Sequence, residues 1–293
     1  MSKSTEPLES IKMIAFTKLQ GIGNDFVFID QVVDPIPIPN LEDFAKKICD
    51  RHKGVGSDGL IIVSRGDLAP FRMTMLNPDG SNGGMCGNGV RCVGRFVIEN
   101  GHQPMETFLL ETENRVVEVT PLSIDCMRVD MGKAQLKRSE IGVLGAPEDS
   151  FVDQPVEVLG ETFFATGVNM GNPHLVIFTA NVADADLERL GPALERHSLF
   201  PFGINVHFAQ VLGRTRLKVR TWERGAGMTL ACGSGACSVG VAAFLNGHTG
   251  RQTEIELPGG SLRINFLESG DVLMEGPAER VFEGTWTLEA ASA

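Results

Sequence analysis

No tyrosine occurs in the 293 residues, so no phenolic hydroxyl is available to any site or interface of this chain. Positive charge is also short: 26 Lys and Arg stand against 37 Asp and Glu, with no basic cluster to offset the deficit. A net charge of −11 argues against a nucleic-acid surface, which must neutralise phosphates. No apolar run is long enough to span a bilayer. The opening MSKSTEPLES lacks the apolar core of a signal peptide, so residues 1–11 read as a disordered leader and the chain as cytoplasmic. The six cysteines (49, 86, 92, 126, 232 and 237) lie in a chain neither small nor marked for secretion, so free thiols are expected rather than disulfides. No C-x-x-C occurs, and the pairs Cys86/Cys92 and Cys232/Cys237 are spaced wrongly to share a helix face, which argues against a metal site or redox couple.

What is present is a repeat. MCGNGVRCVGRFVIENGH (residues 85–102) aligns without a gap on ACGSGACSVGVAAFLNGH (residues 231–248), with eight of eighteen positions identical at an offset of 146. Upstream, GNDFVFI (residues 23–29) echoes GNPHLVI (residues 171–177) at an offset of 148. Two echoes at nearly one offset point to two homologous halves, 12–130 and 131–276, joined where Gly, Pro and charged residues concentrate. The last strand, within 277–293, is expected to return to the first half.

Composition and periodicity predict a mixed α/β (α+β) chain. KMIAFTK, FVFID, LIIV and FRMTML read as strands. NLEDFAKKICD reads as a helix capped by Asn40, with Leu41, Phe44, Ala45 and Ile48 on its apolar face. Cys49 on this helix and Cys126 in a strand pattern are expected to be apolar fillers. Behind Cys86 and behind Cys232, apolar residues recur at helical spacing until an Asn-Gly stop. Gly94 and Gly240 suggest close packing around these helices. GVGSDG (residues 54–59) matches a dinucleotide fingerprint, but a helix precedes it and a strand follows, the reverse of what that fingerprint needs; it reads as a tight turn.

Each Cys-Gly-x-Gly thus stands at a helix entry, where unpaired N–H groups and the macrodipole favour anions. A cysteine there ionises more easily, and the glycines let a substrate approach the backbone. Two such turns related by duplication place two thiols on opposite sides of one cleft. That suits stereoinversion by two bases: one thiolate removes a proton from a stereocentre and the opposite thiol returns one to the other face. No pyridoxal lysine motif or nicotinamide fold is evident, so no cofactor is expected.

The segments GIGNDFVFID, GVGSDG, NPDGSNGGMCGNGVRC, MGNPHLVIF, GINV and WERGAGMTLACGSGAC, in this order from about Lys12 to Phe282, resemble the diaminopimelate epimerase family. The resemblance implies two pseudo-symmetric halves, each a curved β-barrel-like sheet around a central helix, with the site between them. It also implies interconversion of LL- and meso-diaminopimelate without a cofactor, in lysine and peptidoglycan precursor synthesis, by a homodimer. Carried over residue by residue, Cys86 and Cys232 match the acid/base pair, and His174 and Glu223 match groups that tune the thiols. Gly87, Asn88, Gly233 and Ser234 match the donors to the reacting carboxylate. Asn24, Asn77, Asn172, Asn205, Glu223 and Arg224 match residues that hold the substrate.

This chain departs from many members at three places: Gly59 replaces a glutamine, Met228 a glutamate, and Phe282 a tyrosine at the dimer contact. Paired Cys-Gly turns alone also fit a racemase of proline, hydroxyproline or histidine. Asn77, Asn172, Asn205 and the Glu223-Arg224 pair favour a substrate with a second polar amino-acid head. A thiol redox or metal-binding protein, and a non-catalytic binding protein, are the other readings; the cysteine spacing and the retention of both helix-entry cysteines count against them.

Overall fold

The computed structural model describes residues 12–288; the expected leader lies outside them. The first half runs β1 (Lys12–Gly21), β2 (Asn24–Gln31), α1 (Leu41–Cys49), β3 (Gly59–Arg65), β4 (Phe71–Leu76), α2 (Gly87–Glu99), β5 (Phe108–Glu111), β6 (Val116–Ser123) and β7 (Cys126–Lys133). A short helix, α3 (Arg138–Ile141), lies in the link. The second half runs β8 (Gln154–Val158), β9 (Glu161–Asn169), β10 (Pro173–Phe178), α4 (Leu187–Glu195), β11 (Asn205–Gly213), β12 (Arg216–Glu223), β13 (Gly227–Thr229), α5 (Gly233–Leu245), β14 (Gln252–Leu257), β15 (Gly260–Phe266) and β16 (Asp271–Pro277). The chain finishes in β17 (Glu279–Leu288).

The two halves share one wiring. β2 pairs with β3 in parallel across α1, and β10 pairs with β11 in parallel across α4. β4 and β5 are parallel across α2; β12 and β14 are parallel across α5. An antiparallel meander follows in each half, β5-β6-β7 and β14-β15-β16. Parallel neighbours need a long crossover, and here each crossover is the helix itself. β9 flanks β10 as β1 flanks β2, and β8 flanks β9. The strand that flanks β1 in the same way is β17, paired antiparallel with it from Lys12↔Leu288 to Gln20↔Glu279. β7 pairs with β16, so one hydrogen-bonded sheet runs through both halves.

α1 forms where the apolar periodicity predicts it. The Asn40 side chain accepts from the Asp43 N–H, and Phe44, Ala45, Ile48 and Cys49 are buried. α2 packs on β1, β6 and β7, and α5 on β9, β14 and β15. Val90, Val93, Phe96 and Val97 of α2 share one core with Ala236, Val239 and Ala243 of α5. Each large apolar side chain so buried contributes about 1.5–3 kcal/mol. Gly94 and Gly240 permit the approach: a Cβ at Gly94 would lie 3.1 Å from Met127 and Val119, and one at Gly240 would lie 2.9 Å from Ile264. No helix among the described residues is long and apolar enough to cross a membrane.

Candidate active site

Cys86 is the N-cap of α2 and Cys232 the N-cap of α5, both in extended backbone (φ −121°, ψ 115° and φ −131°, ψ 106°). Neither sulfur caps its own helix. The first-turn N–H groups favour an anion there, the cysteine's own thiolate included. The two N-termini face one cleft of about 1100 Å³, lined by Asn24, Asn77, Cys86, Gly87, Asn88, Asn172, Glu223, Cys232, Gly233 and Ser234. They also meet: a Cβ on Gly233 would lie 3.4 Å from Asn88 Oδ1.

Around Cys86 the polar groups form a chain. Asn24 Oδ1 accepts from Asn88 Nδ2 at 3.1 Å and lies 3.6 Å from Cys86 Sγ. Asn24 Nδ2 donates to Asp58 Oδ2 at 2.7 Å, and Arg51 holds the other Asp58 oxygen at 2.7 Å. Asn88 Oδ1 in turn accepts from Arg91 Nη2 at 2.9 Å. Asn24 can take this position because Gly23 before it adopts φ +86°, a conformation open to glycine.

Cys232 is more deeply buried, 5 % exposed. Ser234 Oγ stands 3.8 Å from its sulfur, and Glu223 is held at 2.6 Å by the Thr229 hydroxyl. Burial pushes the Cys232 thiol well up, and the Glu223 carboxylate beside it adds to the effect. Burial also raises Cys86, against the N–H groups of Gly89 and Asn88, which favour its thiolate. Glu223 is itself raised by burial. Burial thus favours the protonated form of both sulfurs.

Behind this wall lies a buried histidine pair. His174 Nε2–H donates to Asn172 Oδ1 at 2.9 Å, which leaves His174 Nδ1 to accept from His207 Nε2–H at 2.9 Å. His207 Nδ1 then accepts from the Thr221 hydroxyl at 2.9 Å. Both rings are fully buried, and burial holds both neutral: His174 falls well below its ordinary value and His207 drops to about 3. His207 packs at the first turn of α5, where a Cβ on Gly235 would lie 2.3 Å from the ring and 3.0 Å from Cys232 Sγ.

Three of the expected residues stand outside the cleft lining. His174 lies one layer back, behind Asn172. Asn205 is buried, its amide donating to the Pro173 carbonyl at 2.8 Å and accepting from the Arg224 N–H at 2.9 Å. The Arg224 guanidinium donates to the Phe202 carbonyl at 2.8 Å. Asn77 is on the lining, its amide donating to Ser81 Oγ at 3.0 Å.

Three residues with evident work here escaped sequence reasoning. Asp58 lay inside GVGSDG, which reads as a turn; the segment is one, yet its acid holds Asn24. Arg91 is a charge within an apolar helix pattern, an anomaly that could have marked it. His207 sits two residues after Asn205 on one strand, so alternation puts both on one face. Cys92 and Cys237 are fully buried in the core, their thiols pushed up to about 12 by burial. Among the described residues no group of three His, Cys, Asp or Glu is placed to hold a metal ion.

The same architecture is known elsewhere. A phenazine biosynthesis protein of the PhzF family from Bacillus anthracis superposes with a TM-score of 0.67 at 14% identity, covering 94% of this chain and 99% of that one. A hydroxyproline epimerase from Agrobacterium vitis, with bound trans-4-hydroxy-L-proline, does so at 0.64 and 13%, covering 96% and 92%. These likenesses establish the fold alone. Sequence goes further. A diaminopimelate epimerase from Carboxydothermus hydrogenoformans is 46% identical over 274 residues, covering 93% of this chain and 99% of the relative. The diaminopimelate epimerase family profile matches residues 16–137 and 166–281, which include both cysteine turns and both Gly-Asn turns. With both helix-entry cysteines facing one cleft and the family profile spanning both halves, the chain belongs to the diaminopimelate epimerase family.

Proposed function

We propose that the protein interconverts LL- and meso-2,6-diaminopimelate by proton transfer at the α-carbon, with Cys86 and Cys232 as the two bases and no cofactor. The observation that carries this reading is the presence of two cysteine N-caps, on equivalent helices, in the lining of one cleft. One sulfur, as thiolate, takes the α-proton and becomes a thiol. The opposite thiol gives its proton to the other face and becomes the thiolate. The reverse reaction starts from that exchanged state; for repeated turnover in one direction the new thiol gives its proton to solvent water and the new thiolate takes one from it.

The carbanion gathers charge on its carboxylate. The N–H groups of Gly87, Asn88, Gly233 and Ser234 receive it from two helix ends at once. Preorganised donors of this kind contribute about 3–4 kcal/mol each in favourable cases. Glu223, next to Cys232, is the acceptor for that thiol's proton when the thiolate is needed. Asn77 and Asn172, on the cleft lining, hold the second amino-acid head, and Asn205 fixes the backbone at Arg224. His174 acts through Asn172, whose amide it orients. This distal grip favours diaminopimelate over a compact imino acid such as proline. The activity belongs to lysine and peptidoglycan precursor synthesis, which places it in the cytoplasm.

The partner surface we propose for a homodimer is the face of β1 and β17. Phe282 there is 45 % exposed and rests edge-on against Phe16. The apolar contact is retained where a tyrosine's hydroxyl is lost.

The test is incubation of the purified protein with LL- or meso-diaminopimelate in deuterated water, followed by mass and chiral analysis. Interconversion with solvent deuterium at the α-carbon is expected, without added pyridoxal phosphate. Retention of configuration and mass, or turnover only with the added cofactor, overturns the reading.

A further inference from the structure

Arg91 is the largest fully buried side chain of the molecule's described part, and no carboxylate pairs with it among the described residues. Its guanidinium is met only by neutral acceptors: the Pro277 carbonyl at 3.1 Å, the Gly87 carbonyl at 3.4 Å, Met274 Sδ at 3.5 Å and Asn88 Oδ1 at 2.9 Å. Burying a cation without a counter-charge is costly. The surroundings are nonetheless shaped for it. A Cβ on Gly21 would stand 3.0 Å from Nη2, and one on Gly276 would stand 3.1 Å from Nε. Gly21 belongs to β1 and Gly276 to β16, so strands of both halves leave room for this one group.

The position is about one and a half helical turns beyond Cys86, and its fork reaches Gly87 and Asn88 of the cleft lining. At the equivalent place in α5 stands Cys237, which is neutral and buried in the core. The fold thus carries one uncompensated positive charge beneath two helix N-termini that already attract anions. An arriving carboxylate, or a thiolate, supplies the missing negative charge.

We infer that Arg91 is a positioning residue for the epimerisation, which fixes the Asn88 amide through its fork and keeps the floor of the cleft electropositive for the reacting carboxylate and the Cys86 thiolate. Asn88 is the hinge of this effect. With Oδ1 committed to Arg91, its Nδ2 must face Asn24 Oδ1, the same atom that meets Cys86 Sγ. The inference rests on the epimerase reading and deepens it. Other charged or titratable groups around Cys86 are Glu223, at the end of β12, and the buried Cys92 on its own helix, while Cys232, Arg51, Arg115 and Lys133 line the same cleft and Asp58, also on the lining, is joined to it through Asn24.

Two variants separate charge from geometry. Arg91→Met keeps the length without the charge, and Arg91→Lys keeps the charge without the fork. The first readout is the pH midpoint of Cys86 alkylation by iodoacetamide in substrate-free protein, located by peptide mass mapping. The second is kcat and KM with meso-diaminopimelate, with circular dichroism to verify folding. In Arg91→Met the midpoint is expected to rise by about one unit, with kcat at least about tenfold lower. In Arg91→Lys the midpoint stays at the wild-type value while kcat still falls, because Asn88 is no longer held. A folded Arg91→Met protein with an unmoved midpoint overturns the inference. So does an Arg91→Lys protein with wild-type kcat or a raised midpoint. Should Arg91→Met not fold, Arg91→Lys decides alone by the same two readouts. If the wild-type protein leaves diaminopimelate unchanged, the epimerase reading falls, while the alkylation midpoints still report whether Arg91 charges the cleft floor.

Discussion

α2 and α5 begin 146 residues apart, each runs for 13 residues, and each ends at an Asn-Gly with matching geometry (Gly101 φ +71°, Gly247 φ +72°). Their side chains diverge. α2 carries Arg91, Arg95 and Glu99 where α5 carries Cys237, Val241 and Leu245. Arg95 and Glu99 pair at 2.7 Å near the surface, so α2 has a polar side, whereas α5 is apolar nearly all round. The Gly-Asn turns diverge in the same way. Asn24 meets the thiol of its own half, while Asn172 meets a histidine behind it. A duplicated backbone supplies two equivalent helix ends; the side chains around them make one polar and one deeply buried sulfur.

The largest expected effect tests what the halves share. Cys86→Ala and Cys232→Ala should each lower epimerisation by at least about a thousandfold with the fold retained, since each removes one of two obligatory bases. Cys92→Ala and Cys237→Ala should keep most activity and lose about 1 kcal/mol of stability, as small buried fillers. Chiral analysis and urea unfolding check the four proteins, and a Cys232→Ala enzyme that still interconverts both stereoisomers would end the symmetry of the mechanism.

The next prediction breaks the comparison. Asn24→Ala should cost about a hundredfold in kcat, because it strips contacts from Cys86, Asn88 and Asp58 together. Asn172→Ala should cost about tenfold, acting through His174 and the substrate's distal head. Equal losses, split alike between kcat and KM, would argue that the two turns do one job.

A third difference is in acid stability. The second half buries His174 and His207 neutral. His207 titrates at about 3 in the folded chain and at 6.5 when unperturbed, so between these values the unfolded chain binds more protons. Stability is then complete above pH 6.5 and falls as the pH drops towards 3. His207 alone implies a loss of about 2 kcal/mol by pH 5. Urea unfolding at pH 7.5 and 5.0 measures it, and His207→Gln should give the flatter dependence.

The smallest effect concerns access. Cys86 is partly exposed in the cleft, Cys232 is 5 % exposed, and Cys92 and Cys237 are buried. Iodoacetamide should therefore label Cys86 ahead of Cys232, and the core pair last. Peptide mapping of a short time course that finds Cys232 labelled first would reverse this order.

Local chemistry carried a long way in this chain. Helical spacing behind Cys86 and Cys232, the Asn-Gly stops and the Asn40 cap are local signals, and the elements formed where those signals stand. The repeat offset likewise exposed the shared wiring of the halves. Gly94 and Gly240 were legible because a missing Cβ in an apolar helix has few uses besides close contact. GVGSDG shows where this kind of reading stops: the turn was plain, but the partner of Asp58 lies 34 residues away.

What the sequence by itself determined is the duplication, the three helices and four strands named from its periodicity, the two helix-entry thiols and the family that joins them. Those depend on backbone propensity and apolar periodicity, which act over a few residues, and on six motifs kept in order. What only the tertiary structure decided is which polar atoms meet. Asn24 selects Cys86 and Asn88, His174 selects His207 through parallel β10 and β11, and Arg91 lodges between glycines of β1 and β16. Hydrogen bonds and buried charges are settled by distances of a few tenths of an ångström between segments far apart in the chain. Those distances follow from how the continuous sheet closes on the helices of both halves, and no local pattern encodes them.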